Sequence, residues 1–157
     1  FLLHYQPVDS RLALLCELPL QAGRESLTQS RQLLAAVLRA LGVMTLDNPV
    51  ETFSWPLLPD MPAAQSGADQ ARQALGGFVA QRRERDGFGN LLVFSAQIDA
   101  LLPGADKHSG RDYAHGTDCH VTCTHSLHSM LALPELKRAA WEHLQPLRRR
   151  LQESARA

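Results

Sequence analysis

Residues 118–130, DCHVTCTHSLHSM, place Cys119, His120, Cys123, His125 and His128 within thirteen positions, and five of the seven histidines (His108, His115, His120, His125, His128) fall between 108 and 128. Zinc takes four nitrogen or sulfur ligands in a tetrahedron, so these five residues are the candidates for a metal site. The spacing argues against one. The Val and Thr content of CHVTCT predicts a strand. On a strand Cys119 and Cys123 share a face but stand about 13 Å apart, at ~3.3 Å per residue, while His120 points the other way. His125 and His128 can meet across a first helical turn, yet a third ligand would have to come from elsewhere. The favoured reading is that Cys119, Val121 and Cys123 pack inward and the histidines cap, hydrogen-bond or face solvent, leaving no metal and no cofactor.

Other chemistry has weaker signals. Cys123 beside His125 or His128 lacks any nucleophile signature. No G-x-x-x-x-G-K-[ST] or G-x-G-x-x-G is present, and GFGN at 87–90 is too short and precedes a strand. Asp99 and Asp118 are isolated carboxylates, which fit turns and caps. No catalytic constellation emerges, and the chain is expected not to be an enzyme.

Positive and negative charges balance at 16 each, so no global field attracts a polyanion and strong direct nucleic-acid binding is not expected. The clusters Arg82/Arg83/Arg85 and Arg148/Arg149/Arg150 read as solvated helix faces. No apolar run approaches the ~20 residues of a membrane span, no signal peptide is visible, and three cysteines fit reduced thiols; a cytoplasmic protein is expected.

The elements that must position these residues follow from periodicity. RLALLCEL (11–18), VETFSW (50–55), GNLLVFSA (89–96) and CHVTCT (119–124) read as strands. Between them, ESLTQSRQLLAAVLRALG reads as a helix with a Ser26/Gln29 capping box and Gly42 as C-terminal cap. DQARQALGGFVAQRRER reads as a second helix, although Gly76 and Gly77 each disfavour it by ~1 kcal/mol. Pro56, Pro59 and Pro62 mark residues 56–70 as a loop that could act as a flap, and 103–117 reads as a polar loop. The end of the chain is a helical pair jointed at Pro134, with Leu136, Ala140, Leu144 and Leu147 as a stripe and Trp141 expected in the core. The prediction is an α/β fold: one three-layer domain over 11–151, with a mostly parallel central sheet of about four strands flanked by helices. Residues 1–10 are a lead segment and 152–157 a tail.

The C-terminal segment HVTCTHSLHSMLALPELKRAAWEHLQPL, through Leu127, Leu131, Pro134, Lys137, Arg138 and Trp141, resembles the psi subunit of bacterial DNA polymerase III; AAVLRALGV at 35–43 is similar to the first helix of that family. The resemblance implies a single α/β domain and a non-catalytic connector. Its partners would be the chi subunit, through it single-strand-binding protein, and the clamp loader (tau/gamma) through an N-terminal segment. This chain departs from the pattern in having little before its first strand and longer 56–70 and His-rich loops. Independently of the resemblance, Phe1, Leu2, Leu3, Tyr5, Phe53 and Trp55 lie near loops or a terminus and are candidates for anchoring a partner. Two alternatives stand beside the connector. One is a small α/β enzyme or nucleotide-binding protein with a pocket at the C-terminal edge of the sheet, ringed by 95–99 and 118–128. The other is a metal-binding module built on the Cys/His residues.

Overall fold

Asp9 makes the first structural decision in the chain. Its Oδ1 accepts hydrogen bonds from the backbone N–H groups of Arg11 (2.7 Å) and Leu12 (3.1 Å), closing a tight turn. That turn folds strand β1 (Leu2–Pro7) back against β2 (Leu12–Leu18). The lead segment expected over 1–10 is therefore a sheet strand, its register pairing Leu3 with Glu17 and Tyr5 with Leu15. Taken alone, LLHYQP shows weak alternation; pairing on both of its sides makes it a strand.

The computed structural model describes residues 1–43, 47–105 and 110–156. After β2 come α1 (Arg24–Ala40), β3 (Glu51–Ser54), α2 (Ala68–Asp86), β4 (Asn90–Ser95), β5 (Asp112–Ala114), β6 (His120–His125), α3 (Leu127–Ala132), α4 (Leu136–His143) and α5 (Gln145–Arg156). The six strands form one sheet in the order β3-β1-β2-β4-β6-β5. The α/β class holds, but two details of the sheet differ from expectation. It has six strands among the described residues rather than about four, and only the central trio β2, β4 and β6 is parallel; β1, β3 and β5 join antiparallel at the edges. Two strands, the inner β1 and the edge strand β5, were hidden for the same reason. β1 and the three-residue β5 owe their conformation to their neighbours, not to local propensity.

Alternate residues of each central strand feed opposite faces. Ala13, Leu15, Leu91, Val93, Val121 and Cys123 pack with Leu75 and Val79 of α2. Leu12, Leu14, Leu92 and Phe94 pack with Leu34 and Leu38 of α1 and with Leu144, Leu147 and Leu151 from the C-terminal helices.

Helix boundaries show local chemistry at work. The Ser26/Gln29 capping box is not used: α1 begins at Arg24 after an extended Gly23, which puts Ser26 inside the first turn. Its C-terminus does close as expected on Gly42 (φ 81°), with Gly42 N–H donating to the Arg39 carbonyl and Val43 N–H to that of Leu38. The predicted C-terminal pair is three helices, because Pro146 has no N–H to continue α4 and the chain restarts at Gln145.

The arginine clusters are not simply solvated. Arg82 and Arg85 hold Glu51 of β3, and Arg85 also holds Asp86. Arg150 donates to both carboxylate oxygens of Asp112 (2.7 and 2.8 Å), to Asn90 Oδ1 (2.8 Å) and to Thr122 Oγ1 (3.0 Å), tying α5 to three strands.

Candidate functional site

The parallel direction of β4 and β6 decides the fate of the Cys/His group. Asn90 pairs with His120 and Ser95 with His125, so one strand carries these residues from one end of the sheet to the other. Cys119 and His120 stand at the amino end, where His120 N–H donates to the Gly89 carbonyl. His125 and His128 stand at the carboxyl end, about 17 Å away at ~3.3 Å per residue. Among the described residues no three His, Cys, Asp or Glu side chains are grouped to hold a metal ion; His108 lies outside the described residues. Cys119 and Cys123 are both buried in the α2 face of the core. Burial pushes the Cys123 thiol up to about 11, so at neutral pH it stays protonated, whereas the thiolate is the nucleophilic form.

The candidate partner anchors separate in the same way. Leu3, Tyr5 and Phe53 are core residues and offer no surface to a partner, because strands β1 and β3 turn them beneath α2. Tyr5 OH reaches out only to donate to Asp86 Oδ2 at 2.7 Å. Phe1, Leu2 and Trp55 are half-buried, and Trp55 donates its indole N–H to the Ser66 carbonyl, pinning the proline-rich loop. Trp141, expected in the core, is 38% exposed on α4, with the Arg148 guanidinium 5.7 Å from its ring centroid. Leu133, in the corner between α3 and α4, is also exposed. The helical period assigns Ala140 and Leu144 inward, and Trp141 follows one residue, about 100°, around the helix from Ala140.

Concave surface is present at both ends of the parallel strands, with a cleft of about 530 Å³ at the amino ends and two adjoining clefts at the carboxyl ends. The chain leaves β2 through α1 toward the β3 edge, and leaves β4 toward β6 and β5, so the path reverses between β2 and β4. Such a reversal opens a crevice outside the strand ends, the usual ligand position in α/β sheets. Here it is a cleft of about 480 Å³ between Glu17–Leu20 at the end of β2, Ala96–Ile98 after β4 and Ser126, His128 and Ser129 after β6. A second cleft of about 310 Å³ adjoins it across Ala96, His128 and Ser129, and contains Asp99, Arg111 and His125. Residues 95–99 and 125–128 therefore ring these clefts as expected, but Asp118 and Cys119 do not, since they border a different cleft at the amino end.

The crevice floor was missed by sequence reasoning. Glu17 is buried, and its Oε2 accepts from the N–H groups of Ala96 (2.6 Å), Gln97 (2.9 Å) and Ile98 (3.3 Å) and from Ser95 Oγ (3.4 Å). A charged residue within the apolar run LALLCEL was the available signal. His125 of the neighbouring cleft has its ring centroid 5.4 Å from that of His143 on α4, and His143 Nδ1 is 3.0 Å from Thr124 Oγ1. Burial lowers the pKa of both imidazoles and Arg111 lowers them further, which favours their neutral forms.

No protein-family model, curated protein or solved structure matches the chain significantly. Among the described residues no helix is long and apolar enough to cross a membrane.

Proposed function

We propose that the chain is a non-catalytic connector of the psi type, a cytoplasmic accessory subunit bridging the clamp loader to chi and through chi to single-strand-binding protein. The observation that carries this reading is Trp141. One of the six residues that carry the sequence likeness, it is 38% exposed beside Arg148, and the same segment presents Leu133. Trp and Arg are the side chains most often found at the energetic centre of protein interfaces. We assign the chi contact to this α3–α4 surface. Because residues 2–7 are committed to the sheet, the clamp-loader contact is assigned to surface outside β1.

Co-expression with chi from the same organism, followed by size-exclusion chromatography with light scattering, tests the reading. A one-to-one complex is expected, and Trp141→Ala should weaken it by about tenfold or more. Separate elution at micromolar concentration would overturn it.

The crevice favours a second reading, a small-ligand site at the carboxyl edge, whether enzymatic or purely binding. Its supporting observation is the coincidence of the 480 Å³ cleft with the reversal between β2 and β4.

A further inference from the structure

We infer that the crevice between the ends of β2 and β4 takes an organic cation, a guanidinium, amidinium or ammonium head on an apolar body, with Glu17 holding the head. The inference rests on the second reading above and names its ligand class.

A buried glutamate ordinarily has a counter-charge, since removing an ion from water is expensive. Glu17 is 8% exposed and belongs to no ion pair among the described residues. Its compensation comes from backbone amides, and all of it falls on one oxygen, Oε2. Oε1 accepts no hydrogen bond among the described residues, and it is not sealed inside the protein. Glu17 lines the crevice, and Oε1 is its oxygen that no donor among the described residues occupies, so we take it as the acceptor for an entering group.

The rest of the crevice selects the body of the ligand. Phe1, Leu18, Ile98 and Leu101 provide apolar wall, His128 and the Ser126 and Ser129 hydroxyls stand on the β6 side, and among the described residues no Lys or Arg lines it. A phosphate is disfavoured twice. The amides of residues 96–98, which would cradle it, are already taken by Glu17, and the carboxylate itself repels an anion. A cationic head instead gains a charge-assisted hydrogen bond to Oε1, while its stem covers apolar surface. The same head can belong to a small amine or to an arginine side chain of a partner protein.

Isothermal titration of the purified chain with benzamidine, neutral benzamide, benzoate and adenosine monophosphate tests the inference, alongside Glu17→Gln. The glutamine keeps an oxygen for the three amides and removes the charge, so the fold should persist, as its urea midpoint will report. Benzamidine should bind, benzamide and benzoate at least about tenfold more weakly, and Glu17→Gln should lose about tenfold in benzamidine affinity. Should the variant not fold, shifts of the Ala96, Gln97 and Ile98 amides on benzamidine but not benzamide addition to wild type give the same answer. A capped arginine tripeptide binding more tightly than benzamidine would assign the head to a protein partner; the reverse would assign it to a small amine. Equal binding of benzamide and benzamidine, or an unaffected Glu17→Gln, would overturn the inference. If adenosine monophosphate binds and benzamidine does not, the edge site survives and its cationic ligand does not. If none of the probes binds, both fall, with the connector reading untouched.

Discussion

Two carboxylates in this molecule receive opposite treatment. Asp112, on the edge strand β5, is closed: Arg150 takes both of its oxygens and Thr122 donates a further hydrogen bond, 2.6 Å from Oδ1. Glu17, at the end of β2, has four donors on one oxygen and none among the described residues on the other. Asp112 is matched by a cation of its own chain; Glu17 is matched by backbone dipoles and stands in a crevice. The difference separates a structural tether from a group still able to accept a partner.

The largest effect is expected from breaking the closed side. Arg150→Met leaves Asp112 partly buried without its cation and frees Asn90 and Thr122, which should lower stability by about 2 to 3 kcal/mol in urea unfolding. This lies below the range for a fully buried pair because the two side chains keep 21% and 23% exposure. Glu17→Ala comes next, at about 1 to 2 kcal/mol, since the amides of 96–98 lose their acceptor but water can enter from the crevice. A larger loss for Glu17→Ala than for Arg150→Met would reverse the comparison and make Glu17 the principal tether.

A pH series sharpens the contrast further. Burial would raise the pKa of Asp112, but hydrogen bonds from Arg150 and Thr122 outweigh it and hold the carboxyl below its ordinary value. A folded pKa lower than the unfolded one means stabilisation that is complete above the unfolded value, ~3.9, and disappears as pH falls through the folded value. Wild type should therefore lose this contribution below about pH 4, whereas Asp112→Asn, weaker at neutral pH, should show a shallower acid loss. Parallel acid slopes for the two proteins would remove Asp112 from the tether. The smallest effect is expected far from both groups, where Trp141→Ala should change stability by within ~0.5 kcal/mol while weakening chi binding.

Legibility in the sequence tracked how local each cause is. LALLCEL, NLLVFS and HVTCTH are buried on both faces and announce themselves as apolar or β-branched runs. The stripe of α1 and its glycine stop were equally readable. β1, β5 and the orientation of Trp141 were not, because each depends on a neighbour remote in sequence or on helix phase. The candidate site was half legible: the carboxyl edge followed from the α/β pattern, but Glu17 gave no sign of where its oxygens would go.

By itself, the sequence determined the α/β class and the positions of β2, β4, β6, α1 and α2, since apolar periodicity and turn residues act within a few positions. Only the tertiary structure decided which ends of the sheet Cys119 and His125 would occupy, and that Glu17 would meet the amides of residues 96–98. Those outcomes follow from strand order and direction, which bring together groups about eighty residues apart in the chain.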